Sequence, residues 1–353
     1  MGKGCERMGG CTEVIKDNKE DSKREKLDLK KVLSERIKVV DNALAKYLED
    51  AEHEELKKAM MHLPMAGGKR LRPILAMLVA DAIAGKGKET IPFGIALELI
   101  HNFTLVHDDI MDGDNLRRGI KTVHYQWNLP TAINAGDALF ARAFEVLCEV
   151  ALPKKKFANM VKEVARMTRK IAEGQQWDMD FETNRKVGEE EYLKMIEYKT
   201  AVIFACAAKY GAIIAGGSKK QIDAMAEYGR LLGIGFQIWD DYLDLKGEQS
   251  VIGKPVGSDI KRGKNTLIIV HALKHANEDD KNKLLSVLGN ANAQQKDILE
   301  VVKILEKTGS IEYAKNRAYE FAKKGKELLK VLPNTEAKDT LSLLIDYMVQ
   351  REK

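Results

Sequence analysis

The sequence predicts an all-α fold, a single large helical bundle, on three observations. Apolar residues recur at helical spacing from Leu27 almost to the end of the 353 residues, only 7 prolines interrupt them, and no sustained alternation of apolar and polar residues marks a sheet. Hydrophobic residues make up 44% of the chain, enough to bury a substantial core.

The helical pattern breaks at Gly67-Gly68, Gly85 to Pro92, Gly113 to Thr122, Pro153, Gly188, Gly216-Gly217 and Gly247 to Gly263. No shift in composition and no fixed-period repeat divides the chain further, so residues 27–353 are expected to form one domain. Residues 1–26 read as a flexible polar tail. They lack the apolar core of a signal peptide and are too acidic for a typical transit peptide.

The most apolar stretch, AVIFACAAKYGAIIAGG at 201–217, contains Lys209 and falls short of the roughly 20 residues of a membrane span. It is expected to be a buried core helix. The four cysteines, Cys5, Cys11, Cys148 and Cys206, show neither CxxC nor zinc-like spacing, which suits a reduced, cytoplasmic setting. Lys plus Arg exceed Asp plus Glu by 58 to 53, a mild excess spread along the chain that gives no argument for nucleic acid.

Local charge is more informative. LVHDDIMDGDNLRRG (105–119) places Asp108, Asp109 and Asp112 in a DDxxD pattern at the end of an apolar helical run, with Asp108 and Asp112 on one face at i and i+4. GFQIWDDYLD (235–244) repeats the spacing with Asp240, Asp241 and Asp244, and Gln237 precedes it by about one turn. One such cluster could be a solvated helix end. Two, without accompanying His or Cys, suit a hard cation such as Mg²⁺, which keeps waters and shares substrate phosphates.

Cations supply the complement. GGKRLRP (67–73) carries Lys69, Arg70 and Arg72, RRG (117–119) carries Arg117 and Arg118, YKTA (198–201) adds Lys199 and Thr200, and GKPVGSDIKRGKNTL (253–267) adds Lys254 and Lys264. Arginine forks and lysine ammonium groups bind phosphate oxygens. No GxxxxGK[ST] loop, GxGxxG turn, GxSxG elbow or HExxH helix is present, so kinase, dehydrogenase, hydrolase and metalloprotease readings lose their main support. Two acidic faces, several cations and apolar helices fit a cup for a diphosphate head with a hydrocarbon tail.

These segments, in this order from Gly67 to Thr266 and together with GDALFARAFEVL and GQQWDMD, resemble the trans-isoprenyl diphosphate synthases of the polyprenyl synthetase family. The resemblance implies a homodimeric, Mg²⁺-dependent enzyme that joins isopentenyl diphosphate head-to-tail to dimethylallyl, geranyl or farnesyl diphosphate. It implies metal binding by Asp108, Asp112 and Asp240, with Asp109, Asp241 and Asp244 completing the site. Lys69, Arg72, His101 and Arg118 would hold isopentenyl diphosphate. Arg117, Lys199, Thr200, Gln237 and Lys264 would contact the allylic diphosphate, and Lys254 would join the diphosphate-binding set. Lys121 departs from the family, which often has proline there, a change that bears on loop stiffness.

Product length is expected to depend on the helix leading to Asp108. Phe103 lies five residues before Asp108 and Thr104 four, and Ala96, Ile100, Phe103 and Thr104 form one stripe. One aromatic at the fifth position, a small residue at the fourth and no insertion within DDxxD resemble archaeal-type geranylgeranyl diphosphate synthases. A farnesyl or mixed product is the alternative. A class I terpene cyclase should carry one DDxxD only, a non-catalytic partner subunit should have lost acids or arginines, and a nucleic-acid scaffold would show no Mg²⁺-dependent turnover. The resemblance implies that a bulky residue here floors the pocket for the growing chain, so replacing Phe103 by Ala is expected to lengthen the product; an unchanged product distribution by chromatography would refute the assignment of that floor to Phe103.

Overall fold

The computed structural model describes residues 28–246 and 257–350. The tail predicted at 1–26, the lysine at 254 and the last three residues lie outside that range. Helices α1 (Leu29–Leu48), α2 (Glu54–Met65), α3 (Leu71–Ala84) and α4 (Ile91–Asp112) are followed by a two-stranded ribbon, β1 (Leu116–Arg117) and β2 (Ile120–Lys121). Then come the single turn α5 (Val123–Gln126), α6 (Leu129–Leu147), α7 (Lys154–Phe181), α8 (Glu189–Ile196), α9 (Val202–Ile214) and α10 (Lys219–Lys246). The chain finishes through α11 (Ser258–Arg262), α12 (Leu267–His275), α13 (Glu278–Val287), α14 (Gln295–Lys307), α15 (Ser310–Leu328) and α16 (Glu336–Met348).

The all-α expectation holds, with the ribbon as a small exception that alternation could not reveal because each strand has two residues. Its turn explains its existence. Arg118 and Gly119 both have positive φ, 53° and 78°, the requirement of a tight hairpin whose twist matches its strands. Arginine in this conformation costs on the order of 1–3 kcal/mol, a strain that persists where the side chain is needed at one place.

Helices α4 and α6 pack along each other, α9 lies between α3 and α10, and α10 is flanked on its other side by α15. The apolar stretch at 201–217 becomes α9, buried at Ile203, Phe204, Ala207, Ala208 and Tyr210, as expected of a core helix. Among the described residues no helix is long and apolar enough to cross a membrane. Cys148 is exposed and Cys206 buried, both as free thiols.

Between α8 and α9 the helix widens into a π turn, Glu197–Ala201, carrying Lys199 and Thr200. Such widened turns re-aim side chains and recur at functional sites. Gly174 of α7 faces this turn, and a Cβ at that position would collide with the Lys199 backbone nitrogen. The close approach of two backbones therefore demands glycine. Gly174→Ala is expected to push α7 from the π turn, destabilising the chain by about 1–3 kcal/mol in denaturant titration; unchanged stability would show that the turn moves freely.

Candidate active site

The first acidic cluster sits where α4 stops. Gly113 ends the helix with a φ of 65°, its N–H reaching back to the carbonyls of Asp109 and Ile110, so Asp112 occupies the last helical position. Asp108 and Asp112 share a face, as predicted, while Asp109 turns into the protein. There Asp109 accepts from Arg117 Nε at 2.5 Å, and its other oxygen is buried without a partner. Burial, opposed by Arg117, pushes the Asp109 carboxyl up to about 6.

Asp108 makes no hydrogen bond or ion pair with another described residue. Burial first, and the neighbouring Asp112 after it, push its carboxyl up to about 6 against the pull of Lys199 and Arg117. The second cluster ends α10 across the way. Asp240 is exposed, and Asp241 is buried with both oxygens engaged, one by Tyr192 Oη at 2.6 Å and the other by Gln237 Nε2 at 3.0 Å. Thr200 in turn donates to Gln237 Oε1 at 2.8 Å, so the π turn, α8 and α10 meet in one chain of hydrogen bonds. Burial raises Asp241 to about 7, although both donors act to lower it.

Asp244 accepts from Ser258 Oγ at 2.5 Å and from the Asp259 N–H at 3.1 Å, which fastens α11 to α10. The Asp259 carboxyl itself is held well above its ordinary range by burial and then by Asp244, Asp241 and Asp240.

Between these helices lies a cavity of about 150 Å³ lined by Asp112, Asp178, Lys199, Gln237, Asp241, Asp259, Arg262 and Lys264 among others. Asp178 is the hub that sequence reading did not single out. It accepts from Lys199 Nζ at 2.6 Å and from Lys264 Nζ at 2.8 Å, and Lys264 also pairs with Glu182 at 2.6 Å. The two lysines hold the Asp178 carboxyl below its usual range even though burial, the largest influence, acts the other way. Its only sequence signal was membership of the quoted GQQWDMD segment.

A second, cationic centre lies at the start of α3. Arg70 takes the left-handed conformation (φ 47°) and turns inward, donating to Asp41 at 2.7 Å, to Glu98 at 2.8 Å and to the Pro64 carbonyl. Of the three basic residues of GGKRLRP, Arg70 is thus a structural anchor. Arg72 has no ion pair with a described residue; its guanidinium lies 4.8 Å from the Phe204 ring centroid, and its buried Nε has no acceptor. Burial and Arg118 lower Arg72 to about 10 against the pull of Glu98, leaving it charged at neutral pH.

Arg118 donates to the carbonyls of Leu63, at 3.0 Å, and Gly67. His101 is kept well below its ordinary range by burial and by Arg72, Arg118, Arg117 and Arg70. Lys69 lies farther out, its Nζ 5.8 Å from the Tyr347 ring centroid. Phe103 packs edge-on against His107, at 4.9 Å between centroids, and against Phe140 of α6 at 5.1 Å; Phe140 continues to Phe144 at 5.1 Å. Thr104 Oγ1 donates back to the His101 carbonyl.

Among the described residues no three His, Cys, Asp or Glu side chains are gathered closely enough to hold a metal ion by themselves, so a hard divalent cation here would complete its oxygen shell with waters and substrate oxygens. Carboxylates outnumber cations around the cavity, no His or Cys lies among the cavity-lining residues, and the half-buried Asp108 carboxylate, one turn before Asp112, has no hydrogen-bond or ion-pair partner among the described residues. The arginine and histidine cluster, with its orphaned donor on Arg72, fits an anion instead. The arrangement can therefore hold a metal-bound diphosphate at one end and a directly bound one at the other.

Comparison with known proteins agrees. The polyprenyl synthetase profile matches residues 53–305. A geranylgeranyl diphosphate synthase of Methanosarcina mazei is 43% identical over 89% of this chain and 95% of its own, and a short chain isoprenyl diphosphate synthase of Methanothermobacter thermautotrophicus is 42% identical over 92% and 99%. The crystal structure of geranylgeranyl pyrophosphate synthetase from Pyrococcus horikoshii superposes with a TM-score of 0.86 at 40% identity, covering 92% of this chain and 98% of that one. The chain belongs to the polyprenyl synthetase family.

The raised carboxyl of Asp108 has a thermodynamic consequence. A group that binds its proton more tightly when folded makes the metal-free protein less stable above its folded value, and the deficit fades as pH falls through about 6. Asp108→Asn is accordingly expected to stabilise the metal-free chain at pH 7.5, by on the order of 1 kcal/mol or roughly 2 °C in melting temperature. The gain should shrink by pH 5. A variant less stable than the parent at pH 7.5 would contradict the assigned electrostatics.

Proposed function

We propose that the chain is a trans-prenyltransferase that condenses isopentenyl diphosphate with allylic diphosphates to give geranylgeranyl diphosphate. The observation that carries this reading is the pairing of two DDxxD helix ends across one cavity with lysines tethered between them by Asp178. Mg²⁺, held by Asp108, Asp112 and Asp240 with Asp109, Asp241 and Asp244 around them, would supply the charge that stabilises a departing diphosphate.

The chain's own residues do the rest. Lys199, Lys264 and Arg117 offer charge to the allylic diphosphate, and Thr200 and Gln237 orient it. Asp178 holds both ammonium groups aimed at the cavity, so their attraction is in place before the allylic C–O bond breaks. Arg72, Arg118, Lys69 and His101 hold the second diphosphate, and His101, whose pKa burial and the surrounding arginines keep well below its ordinary range, can offer that anion a ring N–H. The alkene of isopentenyl diphosphate then attacks the allylic cation, a new C–C bond forms, and the released diphosphate takes the proton lost from the adjacent carbon. No protein nucleophile is needed.

Product length is assigned to Phe103 with its aromatic neighbours Phe140 and Phe144, which form a row between α4 and α6 beneath the first cluster. Thr104 beside it leaves room. A homodimer acting in the cytoplasm completes the reading; the family resemblance supports both, and exposed Leu129 and Ile133 on α6 suit a covered face.

Incubating the protein with labelled isopentenyl diphosphate, Mg²⁺ and each of dimethylallyl, geranyl and farnesyl diphosphates tests the proposal. Geranylgeranyl diphosphate is the expected product. Asp108→Ala and Asp240→Ala should each lower turnover by on the order of 10² or more, the usual effect of losing one electrostatic stabiliser. Retained turnover in either variant contradicts the two-cluster reading.

A further inference from the structure

Two charged residues have no place in the scheme above, and they meet. Arg262 ends α11, and Asp114 follows the Gly113 cap of α4. The Arg262 fork spans two carboxylates: Nη1 donates to Asp112 Oδ2 at 3.3 Å, and Nη2 donates to Asp114 Oδ1. Arg262 and Asp112 also line the same cavity. Asp114 is firmly seated, its N–H donating to the Asp109 carbonyl at 2.9 Å and its own carbonyl accepting from Thr122 Oγ1 at 2.7 Å. Among the described residues, Arg262 is the sole hydrogen-bond partner of its carboxylate.

We propose that Arg262 is a displaceable counter-ion of the first metal face, resting on both Asp112 and Asp114 in the free protein and retreating to Asp114 alone when a divalent cation takes Asp112. The inference rests on the reading of Asp112 as a metal ligand. A guanidinium on one oxygen of Asp112 offsets part of the charge that would attract a cation and repels that cation directly. The contact is long, 3.3 Å against the roughly 2.7–2.9 Å of a charge-assisted hydrogen bond, which marks it as the grip that gives way. Asp114 lets it give way cheaply. A planar fork already bonded there needs only to pivot, so the arginine is never left as an unpaired charge beside the cavity.

The fourth aspartate of DDIMDGD thereby acquires a role. It acts as a parking place and sets how strongly Arg262 competes at Asp112. Without it the arginine's whole attraction would fall on the metal ligand.

A double-mutant cycle read by Mn²⁺ binding, followed through the electron paramagnetic resonance signal of free Mn²⁺ over the full chain without substrate, tests this. Arg262→Gln is expected to tighten Mn²⁺ about fivefold and Asp114→Asn to weaken it by a similar factor, as expected for coupled neighbouring charges. Adding Asp114→Asn to Arg262→Gln should change the affinity by less than about twofold, because the parking place matters only while the arginine is present. A simple field effect would instead give Asp114→Asn the same penalty in both backgrounds and would overturn the proposal, as would an Arg262→Gln chain that binds Mn²⁺ no tighter. Arg262→Met, which keeps the stem's packing, must give the same sign. Asp112→Asn separates the two levels: if it leaves Mn²⁺ binding unchanged, the metal-ligand reading beneath fails, whereas a loss there with no response at Arg262 sinks this inference alone.

Discussion

Buried charge without an internal partner is the constraint on which the rest of this structure depends. Asp108 and Asp259 are carboxylates raised by desolvation with no cation bonded to them among the described residues, and Arg72 is a guanidinium with an orphaned donor. Each costs the folded chain stability that a hydrocarbon side chain would not. A bundle with a large apolar core can tolerate several such sites, and the two signs are gathered at different places: acids at the ends of α4 and α10, bases at the start of α3 and on the ribbon.

Keeping them apart requires other charges that are paired with one another. Arg70 is neutralised by Glu98 and Asp41, which fixes the loop ahead of α3, while Arg72, two residues on, has no ion pair among the described residues. Asp109 takes Arg117, which draws the ribbon against α4. Asp178 gathers Lys199 and Lys264 from two separate segments and presents both ammonium groups to the cavity. In two cases one member of a neighbouring pair is used up structurally while the other has no ion pair with a described residue: Arg70 beside Arg72, and Asp109 beside Asp108. The doubled residues of GGKRLRP and DDxxD are therefore a division of labour.

That division is also where sequence reading stops. Helical class, the breaks at Gly67-Gly68, Gly113 to Thr122 and Gly216-Gly217, and both acidic clusters were legible because they depend on local spacing, and i to i+4 neighbours on a helix are neighbours in space; the breaks near residues 49–53 and 288–294, with no Gly-Gly or Pro signal, were not. Which of two adjacent acids turns inward was not, since it depends on Arg117 arriving from eight residues away and Tyr192 from forty-nine. The inward turn of Arg70 follows from a left-handed backbone that a Gly-Gly-Lys-Arg string does not announce. Asp178 escaped because its lysines lie 21 and 86 residues distant, and Arg262 because its carboxylates lie about 150 residues back. The ribbon escaped for a different reason, being too short to show a period.

The central claim is that the two aspartate clusters form one divalent-metal site shared by a single diphosphate. Crystals grown with Mn²⁺ and inorganic diphosphate, measured at the manganese absorption edge, test it most directly. The account predicts anomalous peaks bonded to Asp108 and Asp112 and a further peak bonded to Asp240, all touching the same diphosphate, with Lys199 and Lys264 on its remaining oxygens. Peaks confined to one cluster, or a diphosphate bound without metal, would contradict it.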